Sequence, residues 1–335
     1  MNFALIQASM TDGERMLVNH CRELYKRAGN SVPSFSRYLS PREQYILKAF
    51  GLLPTLSVDT LADNDAIGFL WGGFDGAERA VYCALPSYYA YSLGDTTNDD
   101  DVGFSAYSEN NSTFAAQSDR SANGGSDDST DTPSIPPRGR LPVSIESKLA
   151  AAATDELEKI IQILRIDAGG FAHLTHRDYL GSITALGIDR SKLGDILVDD
   201  GGAYLFCSEA AAELILYELR TIGRDGVKVK KTTLPDDFIY NRSFADESGT
   251  IASPRLDAIV SELAHVSRER AKELISRGLV EQNYFAAASP DAEISEGDVI
   301  TVKRDSGVRN GKFILDSITP SRRSGRLVVR ARRYQ

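Results

Sequence analysis

Asp195-Ile196-Leu197-Val198-Asp199-Asp200-Gly201-Gly202-Ala203-Tyr204-Leu205-Phe206-Cys207 reads as two apolar strands joined by a tight turn. The glycines supply the positive φ that a short hairpin turn demands. Working outward, Ile160 to Ile166 is a β-branched run that suits a preceding strand, and Thr175 to Leu186 has helical character. On the other side, Ser208 is placed to cap a helix through Leu219, and Val227 to Lys231 suits a closing strand. The order β-α-β-β-α-β predicts a ferredoxin-like, RNA-recognition-like domain, assigned to 139–235. That layout hosts many unrelated functions, so it decides fold and not chemistry.

The flanking segments complete an α+β reading. Residues 1–93 are expected to form an N-terminal α/β domain. Within it, Ser40-Pro41-Arg42-Glu43 opens a helix, and Ile67 to Gly73 reads as a strand closed by glycines. Residues 94–138 carry Asp99-Asp100-Asp101, a Ser/Asn/Gly/Asp tract and Pro133, Pro136 and Pro137, so a disordered acidic insertion is expected there. Residues 236–252 are polar and read as a linker. Residues 253–335 form a small α+β C-terminal domain.

The chain has 335 residues, 42% of them hydrophobic, enough for several domains with buried cores. Its net charge of -9 argues against a polyanion partner until the distribution is examined. From Ser253 to Gln335 there are 15 Lys and Arg against 11 Asp and Glu, a net of +4, which leaves −13 on the remainder. Such asymmetry implies a basic working surface on an acidic body. The three cysteines, Cys21, Cys83 and Cys207, are far apart and form neither a zinc spacing nor a disulfide framework. Four histidines also lack metal-ligand spacing. The start lacks a basic segment before a long apolar run, and no stretch approaches a membrane span. A cytoplasmic protein with no membrane partner, no cofactor and no metal is expected.

In the C-terminal domain, Leu256, Ile259, Val260 and Leu263 form one apolar helical stripe after Ser253-Pro254. Ser267 is placed to cap a second helix that carries Ala271, Leu274 and Ile275, and Gly278 ends it. Strands follow at Leu279 to Asn283 and Val299 to Val302, and Leu327 to Val329 suggests one more between arginines. A helical hairpin on a small sheet would present Arg255, Arg268, Lys272 and Arg277 from one side, a cluster suited to phosphate contacts. A solvated charged helix is the plain alternative. The tail adds Arg322, Arg323, Arg326, Arg330, Arg332 and Arg333, either as a solubilising terminus or as further phosphate contacts.

Arg255-Leu256-Asp257, Ser267-Arg268, Ala271, Lys272, Ile275, Gly278, Val280, Asn283 and Gly297-Asp298 together resemble the RNA-binding domain of the small-subunit ribosomal protein S-four. The segment from Arg304 to Phe313 looks like an expanded Arg/Gly turn of that domain. The resemblance implies RNA contacts by Arg255, Ser267, Arg268, Lys272, Arg277, Asn283, Arg304, Arg309 and Lys312. A wider resemblance rests on Pro41-Arg42-Glu43-Gln44, Ala77-Glu78-Arg79, His176-Arg177-Asp178-Tyr179-Leu180-Gly181, Leu186 to Arg190, Gly194 to Val198 and Ile222-Gly223-Arg224. These segments look like the YlmH family. The resemblance implies a non-enzymatic factor that binds structured RNA, ribosomal RNA and tRNA, on the large ribosomal subunit. The expected setting is rescue of stalled translation, with some members linked to cell division. The free protein is expected to be a monomer.

No catalytic residue is assigned. His176-Arg177-Asp178 has the order of a kinase catalytic loop, but position 183 is Ile where that loop needs Asn. His176, Arg177 and Asp178 are therefore kept as secondary RNA-binding or structural residues. The alternative is a pseudouridine-synthase-like RNA-modifying enzyme with Asp178 as its suspect residue, although the Thr/Ser-Gly expected after that Asp is missing. A third reading is a scaffold that binds protein through 94–138.

Overall fold

The computed structural model describes residues 3–54, 56, 65–90, 144–169, 174–235, 238, 240, 242–321 and 325–334. The acidic segment 94–138 lies outside them, as do Arg322 and Arg323.

Near the start, α1 (Phe3–Ser9) and α2 (Asp12–Gly29) lead into β1 (Ser34–Leu39), α3 (Pro41–Ala49), β2 (Ala66–Trp71) and β3 (Ala80–Pro86). Reciprocal capping boxes start two of the helices, Thr11 with Glu14 at α2 and Ser40 with Glu43 at α3. The sheet runs β1-β3-β2 and every pairing is antiparallel. The N-terminal region is therefore α+β, not the α/β arrangement expected of it. Strand β1 has no clean alternation of its own to announce it in the sequence. One sheet face packs Tyr82 and Ala84 against α1, α2 and α3 through Ile6, Val18, Cys21 and Ile46.

The opposite face packs on α4 (Ile145–Ala152), α5 (Thr154–Ile160) and the middle domain, with Phe69, Val81 and Cys83 meeting Leu149, Leu157, Leu197 and Phe206 in one core. The middle domain contains β4 (Gln162–Ala168), α6 (His176–Ala185), β5 (Leu193–Asp199), β6 (Gly202–Cys207), α7 (Glu209–Glu218), β7 (Thr221–Ile222) and β8 (Asp225–Lys231). Its strand order is β5-β6-β4-β8, with the short β7 outside β8, and all pairings are antiparallel. This is the ferredoxin-like topology. Alternation sends Leu164, Ile166, Ala203 and Leu205 toward α6 and α7, and Phe206 and Leu197 toward the N-terminal sheet. Gly194 makes that approach feasible, since a Cβ there would sit 2.6 Å from the Tyr38 ring.

The C-terminal domain begins earlier than expected. Residues 244–251, assigned to a linker, form β9 (Phe244–Ile251), which pairs along its length with the terminal strand β14 (Leu327–Tyr334). Between them lie α8 (Leu256–Leu263), α9 (Arg268–Ser276), β10 (Val280–Gln282), β11 (Phe285–Ala286), β12 (Val299–Val302) and β13 (Gly311–Pro320). The six-stranded sheet runs β11-β10-β12-β13-β14-β9. The α8–α9 hairpin buries Leu256, Ile259, Val260, Leu263, Leu274 and Ile275 against Ile300, Phe313 and Val329. Arg255 occupies the N-cap position of helix α8 and makes no side-chain cap hydrogen bond. Gly278, at φ 70, lets the Leu279 N–H return to the Leu274 carbonyl and closes α9.

Candidate nucleic-acid interface

Asp257, at the start of α8, is the pivot of the C-terminal hairpin. It is fully buried, yet it is a carboxylate. Arg255 reaches it with Nε at 3.2 Å and Arg268 with Nη2 at 2.8 Å. Burial pushes the Asp257 carboxyl up, but the hydrogen bonds and charges of the two guanidiniums outweigh this and hold it below the usual carboxylate range. The arginine side chains remain 40% and 43% exposed. The acid is thus hidden and the bases are turned outward, each oriented by a shared anchor. Lys272, one helical turn beyond Arg268, is exposed on the same face. Arg304 is exposed as well.

The other expected contacts are more constrained. Arg277 donates to Asp305 at 2.8 Å and also meets Glu273, and Arg270, not anticipated from sequence, joins the same Asp305 at 2.7 Å. Arg309 is paired with Glu247 and lies 2.8 Å from His265 Nε2. Ser267 is a helix cap whose hydroxyl accepts from the Arg270 N–H. Asn283 is corrected outright. It is buried, donates to Asp298 at 2.7 Å and accepts from the Val299 N–H at 2.9 Å, so its amide is committed to building the hairpin. Lys312 is corrected too. Its ammonium lies 2.7 Å from Glu78 of the N-terminal region, with the side chain 21% exposed, and it serves a domain joint. In the tail, Arg332 is held by Asp316 and Arg333 by Glu247, while Arg330 is exposed.

The middle domain carries a different electrostatic pattern. On the sheet face away from α6 and α7, Arg165 is the inward group, 14% exposed. It is gripped by Asp199 at 2.5 Å and Asp167 at 2.9 Å, which are 46% and 41% exposed. The Arg165 guanidinium also covers the Tyr204 ring at 4.7 Å. The sheet surface that RNA-recognition folds leave open is here partly covered by the N-terminal region and partly edged with acid. Basic charge lies on β8, where Lys228 and Lys231 are exposed and Lys230 pairs with Asp167 at 3.2 Å. In the sequence these lysines are visible within Val227 to Lys231, but the pattern there marks only a strand.

His176, Arg177 and Asp178 open α6, all exposed. Asp178 closes a capping box, accepting from the Thr175 hydroxyl at 2.6 Å and the Thr175 N–H at 2.8 Å. Those hydrogen bonds, from the hydroxyl first, lower its pKa, which suits a cap and not a general acid. Burial pushes the Cys21 and Cys207 thiols up to about 12, and Cys83 higher still, so none is a ready nucleophile at neutral pH. Among the described residues, no group of His, Cys, Asp and Glu has metal-holding geometry, and no helix is long and apolar enough to cross a membrane.

The motif segments Pro41–Gln44, Ala77–Arg79 and Gly194–Val198 converge at the domain joint. Asp195 accepts from the Glu78 and Arg79 N–H groups at 2.6 and 3.0 Å. Arg79 donates to the Leu193 and Arg190 carbonyls, and Gln44 donates to the Glu78 carbonyl at 2.8 Å. Glu78 in turn holds Lys312, and Arg42 bonds the Tyr284 carbonyl at 2.9 Å while covering the Phe285 ring at 4.0 Å. These residues fix three domains relative to each other.

Residues 157–236 match a family model described as "Putative RNA-binding domain in YlmH". The ribosome-associated protein quality control protein P2 of Bacillus subtilis (strain 168) is 29% identical over 136 residues, 41% of this chain and 53% of that relative. The alignment thus spans about half of the relative's length. Among solved structures, the cell division protein ylmH from Streptococcus pneumoniae aligns at a TM-score of 0.35 and 16% identity, over 67% of this chain and 93% of that one. The middle domain is thus similar to the RNA-binding domain described for YlmH, and 41% of this chain shares sequence with a ribosome-associated quality control protein.

Proposed function

We propose that the protein is a non-enzymatic, ribosome-associated RNA-binding factor whose C-terminal hairpin docks on structured RNA. The observation that carries this reading is the Asp257 anchor, a buried acid that aims two partly exposed arginines outward beside Lys272. Guanidiniums oriented in this way match phosphate oxygens and lose little freedom on contact. Phosphate contacts set position and suit the shape-led recognition of folded RNA. The "RNA-binding" description of the middle-domain model and the name of the Bacillus relative support the same reading. The finer proposal is docking on the large subunit, on complexes that retain tRNA, within ribosome quality control.

Sedimentation of a cell lysate at low and high salt tests it. The protein is expected to travel with the large subunit at low salt and to leave it at high salt, because counterion release drives such contacts. Migration as a free protein at both salts would end the proposal.

A further inference from the structure

The turn between β10 and β11 breaks a local rule. Asn283 and Tyr284 are its two central residues, at φ 52 and φ 70, between the paired Gln282 and Phe285. Such a turn wants Asn and then Gly, and an aromatic at the second position is strained. Strain kept in this way is a pointer to what the side chain does. The Tyr284 ring stands in a cleft between the N-terminal region and the C-terminal domain. It meets Tyr45 edge-on at 6.5 Å between centroids, and the Lys312 ammonium lies 5.0 Å from it. Tyr334 forms a further wall, with Lys312 4.5 Å and Arg242 5.5 Å from its ring centroid. The cleft measures about 340 Å³ and continues past Tyr45 and Lys48 into a second hollow of about 400 Å³. Lys48 is exposed on the rim that the two hollows share. Both amide hydrogens of Gln44 go to the Leu39 and Glu78 carbonyls, which leaves its side-chain oxygen as an acceptor in the lining.

We propose that this cleft receives one unpaired nucleotide of the bound RNA, its base against Tyr45 and Tyr284 and its phosphate toward Lys48. The inference rests on the RNA-binding reading above and adds a site to it. Aromatic faces accept any base by stacking, and neighbouring cations hold the backbone. The cleft lies at the low end of the size range of ligand sites, which suits a single nucleotide and excludes a duplex. The site exists only because two domains are locked together, so an isolated C-terminal domain lacks it.

The test uses the full chain and two probes, a single-stranded RNA decamer with one 2-aminopurine and a blunt RNA duplex. Stacking in the cleft quenches the 2-aminopurine fluorescence of the decamer. Tyr45→Leu and Lys48→Glu are each expected to weaken decamer binding by about fivefold or more and to restore the fluorescence, while Tyr45→Phe keeps both. Lys48 is exposed, so Lys48→Glu decides the matter if Tyr45→Leu fails to fold. Unchanged quenching and affinity in Lys48→Glu and in any folded Tyr45→Leu overturn the cleft. If Arg268→Ala with Lys272→Ala still weakens duplex binding in that case, the RNA-binding reading survives the loss. A wild-type chain that binds neither probe overturns both.

Discussion

Two arginine–carboxylate clusters in this molecule are built from the same chemistry and present opposite charge. In the C-terminal hairpin the acid, Asp257, is fully buried and its arginines are 40% and 43% exposed. In the middle domain the arginine, Arg165, is 14% exposed and its acids, Asp199 and Asp167, are 46% and 41% exposed. Two arginines on one aspartate carry +1, and one arginine between two aspartates carries −1. The fold sharpens that difference, because in each cluster it hides the single partner and leaves the pair of like charges for solvent, or a polyanion, to meet. The hairpin therefore presents positive charge and this face of the middle sheet negative charge, although both lie in domains with RNA-binding resemblances.

The largest effect is expected from Arg268→Ala with Lys272→Ala. Each lost phosphate contact lowers the slope of log affinity against log salt by about 1, so the pair should lower it by about 2. Titration of a fluorescent structured RNA at several salt concentrations measures this, and a circular dichroism melt checks the fold. An unchanged slope would place the working face elsewhere. Asp257→Asn comes next and is informative by its sign. It makes the hairpin more positive, so an account in net charge alone predicts tighter binding. Removing the anchor frees Arg255 and Arg268 to swing, so we expect severalfold weaker binding. Tighter binding would show that orientation contributes nothing.

The comparison also marks what the sequence could disclose. The middle domain is legible because its alternation and the Asp199-Asp200-Gly201-Gly202 turn are local signals, and strands β5 and β6 form where they point. Strand β9 is hidden in the sequence because Asp246-Glu247-Ser248-Gly249 is polar and half exposed, and its partner is the far terminus, with Phe244 opposite Tyr334. The arginines of the hairpin can be named from sequence, but the burial of Asp257 beneath them cannot, since the segment around Pro290 that packs against the start of α8 lies beyond the helices. Here the Asp257 N–H donates to the Pro290 carbonyl. The domain joint is illegible for the same reason at greater range. Arg42 and Tyr284 are 242 residues apart, and Lys312 and Glu78 are 234 apart.

That joint gives a pH prediction. Burial pushes the Glu78 carboxyl up, but the hydrogen bond and charge of Lys312, with Arg242, outweigh this and hold it below its ordinary value. A carboxylate lowered in the folded state stabilises the protein above its unfolded pKa, about 4.3, and that stability is lost as pH falls through the folded value. Denaturant midpoints should fall as pH drops below about 4.3, and less steeply in Glu78→Gln. Identical pH profiles would remove Glu78 from the joint's electrostatics. A smaller effect is expected from Lys228→Ala with Lys231→Ala on β8. If these lysines are a second RNA contact, the salt slope drops by less than in the hairpin variant. A larger drop would move the principal site to the middle domain and invert the comparison.

The smallest effect is expected at Asp199, and it completes the argument. Asp199→Asn and Asp257→Asn each remove one negative charge from one side of an arginine cluster, so they change the net charge of the protein equally. Asp199 is exposed, and Asp167 and the Tyr204 ring still hold Arg165 when it is neutralised. Arg165 is largely buried but keeps Asp167 as its counter-charge, so the melting temperature should fall only modestly. RNA affinity should stay unchanged, because no outward base depends on Asp199 for its direction. A long-range field would be weakened by salt over about 8–10 Å and would treat the two variants alike. Parallel behaviour of the pair, both tightening by the same factor at low salt and both losing the gain at high salt, would mean that RNA senses the summed charge of the protein. Opposite behaviour, weaker for Asp257→Asn and flat for Asp199→Asn, requires that the burial of one carboxylate sets the direction of the arginines RNA meets.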